Sequence, residues 1–334
     1  MLHASLLALA ALAWPAFALA QSFDSQDWQV VCDDTRACRA AGYSVERSAA
    51  PVSVLFARRA GAGMPVIVEL QLGTLDARAV HPPSVVMAIA GKPSGTLRID
   101  KNNHADLSAG VATALLKALA SGNGATFTAG KTVWRLSGDG AADMLGKIDD
   151  VQGRTGRPSA LVHKGSLSDA DAAYPMAIPR FEAARVPAAT VPGDAELAVR
   201  VVAAIQSGLD CPLLDDGTAQ AKARLWHLDV NRLLVTQPCR ATVGGGVAGY
   251  WVANQRPPYD GKPITLSGTD FDGSTITARA TSTVAGDCGS AQAWTWNGFR
   301  FEQTYAATGG LCRGVKTGGA WELPSQVSEV IAGK

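Results

Sequence analysis

The chain has little charge and few of the motifs that announce chemistry. Charged side chains make up 18% of its 334 residues, and the formal net charge is +1. That balance gives no long-range field to steer the protein onto nucleic acid or an anionic membrane. Aromatic residues are only 6%. Past residue 20, no apolar run approaches the roughly 18 residues that a membrane helix requires. There is no Cys-x-x-Cys pair, which argues against a redox centre or a zinc finger. Neither His-Glu-x-x-His nor Gly-x-Ser-x-Gly occurs.

What is present points to export. Residues 1–20 form an apolar stretch ending in Ala18-Leu19-Ala20, a small-x-small cleavage signature, followed by polar Gln21-Ser22. This predicts a cleaved signal peptide 1–20 and a periplasmic or secreted protein. With no cysteine at position 21, a lipid-modified amino terminus is not indicated. All six cysteines, Cys32, Cys38, Cys211, Cys239, Cys288 and Cys312, lie downstream. An even count in an exported chain reads as a disulfide framework. Six cysteines admit fifteen pairings; spacing favours neighbours, Cys32–Cys38, Cys211–Cys239 and Cys288–Cys312.

The pattern of apolar residues divides the rest into two units. Residues 21–174 alternate like strands at Trp28–Cys32, Val52–Ala57, Val66–Leu72, Ser84–Ala90, Leu97–Asp100 and Thr132–Leu136. Leu107, Val111, Leu115 and Leu119 mark a helix with Asp106 as N-cap and Gly122 past its end. Met144, Leu145, Ile148 and Val151 mark a second, ended by Gly153. Residues 175–193, with Pro175, Pro179, Pro187 and Pro192, read as an extended linker. Residues 194–334 open with a helix whose face is Leu197, Ala198, Val201, Val202 and Ile205, with Gly208 as cap, and then turn β-rich. Leu225–Leu228 and Leu233–Thr236 read as a hairpin. Asp272-Gly273, between Pro263–Ser267 and Ser274–Thr283, and Asn297-Gly298, between Ala291–Trp296 and Phe299–Thr304, carry type I′ turn signals. The expected class is α+β and β-rich: two antiparallel β units, a few amphipathic helices and three disulfides.

The residues also resemble a known family. Gly286-Asp287-Cys288-Gly289, Trp294-Thr295-Trp296-Asn297-Gly298-Phe299 and Cys312-Arg313-Gly314 resemble the C-terminal signature of domain-of-unknown-function family 1176. Trp28-Gln29-Val30-Val31-Cys32 through Cys38, and Gln152-Gly153-Arg154-Thr155-Gly156, resemble its N-terminal and mid-chain motifs. The resemblance implies an exported bacterial protein with six cysteines, and it implies no catalytic residue. The first unit is more weakly similar to the invasion-associated locus B family. The chain departs from the family pattern after Cys239 and at Glu322-Leu323-Pro324-Ser325.

Candidate chemistry is thin. His81, His104, His163 and His227 are far apart in sequence. Gly244-Gly245-Gly246 is followed by neither a helix nor a Lys-Ser/Thr pair and reads as a hairpin connection. Asp270-Phe271-Asp272-Gly273 opens like a calcium loop but lacks the later acidic ligands. Tyr250, Trp251, Trp294 and Trp296 read as core, with an exposed platform for glycan or peptide as the sharper reading. The functional expectation is a non-catalytic envelope protein that binds an envelope or host component, without cofactor, metal or nucleic acid. The alternative is an envelope hydrolase using dispersed carboxylates, with Asp210 and Asp287 as candidates. Nothing in the sequence indicates an oligomeric state.

Overall fold

The computed structural model describes residues 21–73, 81–188, 191–205, 210–242, 245–281 and 286–333. The expected signal peptide, the Gly208 cap, Gly244 and Ser282-Thr283 lie outside the described residues.

The first unit is two sheets closed over one core. Its larger sheet is antiparallel, in the order Gln21–Ser25, Trp28–Cys32, Cys38–Tyr43, Val52–Arg58, Val66–Leu72 and His104–Asp106. The smaller runs Thr132–Leu136, Ala125–Ala129, Ser84–Ile89 and Lys92–Arg98. Side chains alternate across a strand, so Val52, Val54 and Phe56 share one face of the larger sheet with Val68, Leu70 and Leu72. Val85, Met87 and Phe127 meet them from the smaller sheet, and Met144, Leu145 and Ile148 from the helix Ala141–Val151. Leu115 and Leu119 enter from the helix Ala109–Leu119.

The mid-chain motif turns out to be scaffold. At the end of the helix Ala141–Val151, Asp149 and Arg58 form a 2.7 Å ion pair with both side chains 1% exposed. Asp149 also accepts the backbone amides of Leu161 and Val162 at 2.7 and 3.0 Å. Gln152 accepts from Arg58 Nε at 2.6 Å and donates to the carbonyls of Arg36 and Arg58. Arg154 donates to the carbonyl of Gly61. A buried charge is tolerated only when paired and hydrogen-bonded, and this knot meets both conditions.

The second unit has two sheets in sequence. The helix Asp194–Ala203 packs on the first, ordered Arg224–His227, Arg232–Thr242, Gly245–Asn254 and Lys262–Gly268. The second runs Asp270–Phe271, Thr275–Thr281, Gly289–Trp296, Phe301–Thr308 and Leu323–Gln326. The fold is thus β-rich with antiparallel sheets, as expected, and among the described residues Arg180–Ala183 pairs in parallel with Glu329–Ala332. All six cysteines are paired as neighbours: Cys32–Cys38, Cys211–Cys239 and Cys288–Cys312.

The second face of the larger sheet is covered too. Val31, Ala41, Tyr43 and Leu55 form a core with Val315, Ala320 and Leu323 of the second unit. Double coverage explains why Val52–Arg58 is almost continuously buried rather than alternating. Tyr43 reaches the backbone of Gly310, which has φ +85° and leaves no room for a side chain against the phenol. Arg313 pairs with Asp27 at 2.9 Å, Trp321 Nε1 donates to Ser53 Oγ at 2.7 Å, and Asp34 accepts the Val327 amide at 3.1 Å. The Pro-rich segment is held as well: Ala184 and Val186 donate to the carbonyls of Trp296 and Gly273.

Several local expectations are corrected. Asp106 lies in the edge strand His104–Asp106, and Ser108 is the N-cap of the following helix. The strand expected at Leu97–Asp100 is Lys92–Arg98; Asp100 instead caps a turn by accepting the amides of Asn102 and His104. Pro263–Ser267 belongs to the other sheet, so the hairpin at Asp272-Gly273 joins Asp270–Phe271 to Thr275–Thr281. There Asp272 binds the amides of Ser274 and Thr275, and only Gly273 takes a positive φ, so the turn is not type I′. At Asn297-Gly298 the closing pair is Trp296 with Phe301, which gives a four-residue loop. Asn297 caps it by accepting the amides of Phe299 and Arg300. In both loops an Asx side chain satisfies the backbone and replaces the two positive φ angles.

Candidate functional site

The aromatic residues read as core, with an exposed platform as the sharper alternative, are largely interior. Trp251 is 0% exposed, Trp296 2% and Tyr250 4%, and Trp294 is half-buried against the cluster of Leu234, Tyr250 and Ile276. The Trp251 ring lies against Gly249 two residues earlier and fills the core between the helix Asp194–Ala203 and its sheet. Phe299, pushed out by the longer loop, is 71% exposed, and Arg232 stacks over it and over Trp296 at 5.5 and 5.1 Å. Aromatic area fills two small cores, which leaves Phe299 at the surface and Trp294 half-buried.

The carboxylates singled out for hydrolysis are not brought to one cleft. Asp287 is buried and accepts the Gly314 amide at 2.7 Å, bracing the Cys288–Cys312 bridge. Asp210 is exposed and pairs with Arg240 at 2.7 Å. Histidines likewise divide: His81 meets Asn103 at 3.0 Å, His227 meets Asp194 at 3.0 Å, and His163 is exposed. Burial tends to raise the carboxyl of Asp194, but the Val191 amide and His227 outweigh it and hold it below its ordinary range.

Among the described residues, a cleft of about 810 Å³ opens between the larger sheet at the start of the chain and the two sheets that follow residue 223. One wall is the far edge of the larger sheet, carrying Glu69, Gln71 and His104, with Asp100 and Asn102 from the adjoining turn. The other wall comes from both sheets of the second unit and carries Arg240, Arg279 and Lys316. Gly309, Gly318 and Gly319 line it with bare backbone, and Trp321 and Glu322 line it as well. The walls therefore differ in sign, acidic against basic. His104 Nε2 lies 2.9 Å from Glu69 Oε2, and Trp321 meets the imidazole edge-on at 6.1 Å. The backbone amide of His104, with that of Asn102, holds the Asp100 carboxyl below its ordinary range. Burial, then the hydrogen bond that its hydroxyl donates to Glu322, and then the charge of Glu322 push the Tyr305 phenol well above its usual value.

Sequence reasoning named none of Glu69, Arg279, Lys316 or Trp321. They are far apart in the chain and meet where residues 311–323 return to the outer face of the first sheet. One signal was available: His104-x-Asp106 on an extended segment places an imidazole and a carboxylate on the same face.

Sheets and cysteine pairing together define a β-rich protein stapled by three disulfides. The family model for a protein of unknown function (DUF1176) matches residues 22–328, and the chain belongs to that family. The likeness of the first unit to the invasion-associated locus B family has no counterpart in that match. No curated protein and no solved structure matches the chain.

Proposed function

We propose that the protein is an exported, non-catalytic envelope protein that binds a ligand or the segment of a partner in the cleft between its two units. The observation that carries the reading is the cleft itself, with walls of opposite sign contributed by both units and held by a shared apolar core. A pocket of this size, with a few charged groups set against bare backbone, suits a small ligand or a short peptide carrying both charges. Among the described residues, the histidine hydrogen bonds go to Glu69, Asn103 and Asp194, not to a hydroxyl or thiol nucleophile. Three disulfides, and the lack of any described helix long and apolar enough to cross a membrane, fit an oxidising extracytosolic compartment.

Trp321 supplies the assay. Soluble peptidoglycan fragments titrated into the protein should give a saturable fluorescence change that is lost in Trp321→Phe. A flat titration, or a change that survives in Trp321→Phe, would count against binding in the cleft. Cleaved fragments in mass spectra would point to the hydrolase instead.

A further inference from the structure

At the edge of this cleft, strand pairing assembles a donor set that sequence spacing hides. Glu69 and Asp106 are directly opposed on antiparallel strands, and His104 stands two residues from Asp106 on the same face. Two carboxylates opposed across a sheet repel each other. Among the described residues, no lysine or arginine ion pair offsets them: Glu69 pairs only with His104, at 2.9 Å. One imidazole nitrogen and one oxygen from each carboxylate all lie within 4.8 Å of one another. An ion with bonds of about 2.0–2.2 Å holds its donors roughly 3–4 Å apart. Glu69 and His104 already meet that spacing, and Asp106 is exposed and free to swing inward.

We propose that Glu69, His104 and Asp106 bind a divalent transition-metal ion of the zinc class. One imidazole with two carboxylates suits zinc better than calcium or magnesium, which favour all-oxygen sites, and it lacks the thiolates that select copper(I). Asp100, through the His104 amide at 2.9 Å, and Trp321, against the imidazole, fix the strand that carries two of the ligands. Three protein ligands at the edge of an open cleft leave coordination positions free, facing Arg279 and Lys316 across the cavity. A metal there favours an anionic group, such as a carboxylate, as the fourth ligand. This inference concerns the ion alone and stands whether or not the cleft takes an envelope ligand.

The test is calorimetric titration of zinc chloride into the purified, chelator-treated protein. One site per chain is expected. Glu69→Gln, His104→Asn and Asp106→Asn should each weaken it by roughly tenfold or more. His227→Asn, at the other histidine–carboxylate pair, should leave it unchanged. Melting separates loss of the site from loss of the fold. Without metal, Asp106→Asn should melt at or above the wild-type temperature, because a repulsion is removed, but it should lose the zinc-induced rise. Absence of zinc binding in the wild type would overturn the proposal. So would affinity unmoved by both Glu69→Gln and Asp106→Asn, which would mark a lone surface imidazole.

Discussion

The first unit buries one large core between two sheets and two helices, and its disulfide closes a span of only six residues. The second spreads its burial over two smaller cores, and its bridges span 28 and 24 residues. Chain-entropy stabilisation grows with loop length, about 2.5 kcal/mol for the short clip and about 3.5 kcal/mol for each long one, as upper estimates. The staples are therefore largest where the apolar core is smallest, the usual compensation in domains with little core. The first unit instead invests in a buried ionic knot, which makes it sensitive to one side chain.

The contrast can be broken first at that knot. Asp149→Ala leaves Arg58 buried without its partner and should cost about 3–5 kcal/mol, unfolding the first unit at the lowest denaturant concentration of any variant here. Next, replacing Cys211 and Cys239 with alanine should cost the second unit about 3.5 kcal/mol. Replacing Cys32 and Cys38 should cost the first about 2.5 kcal/mol. Urea unfolding followed by intrinsic fluorescence gives the order, and equal losses would erase the contrast. Leu323→Ala, in the core the two units share, should cost about 2–3 kcal/mol and split one transition into two. A smaller, pH-dependent effect is expected at the same seam. Burial pushes the Tyr43 phenol well above its ordinary value of 10.0. Its contribution is intact below pH 10 and is lost as pH rises beyond it, because the folded state resists ionisation. Tyr43→Phe should remove that part of the alkaline loss; an unchanged alkaline profile would place the loss elsewhere. Smallest of all, Asp216→Ala removes the cap to the Ala219 amide, for about 1 kcal/mol.

Much of this scaffold was legible in the sequence. Val66–Leu72 and Thr132–Leu136 follow from alternation, and the disulfide pairs from spacing, because these signals are local. Turn geometry was less legible, since Asp272 and Asn297 bind neighbouring amides and so lengthen the loops they were expected to tighten. The cleft was scarcely legible, its one local signal being His104-x-Asp106. Glu69 meets His104 through strand pairing across 35 residues, and Trp321 reaches His104 only when the second unit docks. A two-unit reading with a linker between gave no hint that Val315, Ala320 and Leu323 would cover the first sheet.

That returning segment has a consequence for how the molecule is made. Residues 311–332 carry the Tyr43 seam, part of the cleft lining and the strand that pairs with Arg180–Ala183. A chain is synthesised from its amino terminus, so the first unit is complete while the outer face of its larger sheet is still bare. Val31, Ala41 and Leu55 then stand exposed until the late residues arrive, a wait made longer by the sequence distance between the partners. The cleft comes into being last, once residues 311–323 have docked. A chain cut short before residue 311 would keep much of both units and have no finished cleft to offer.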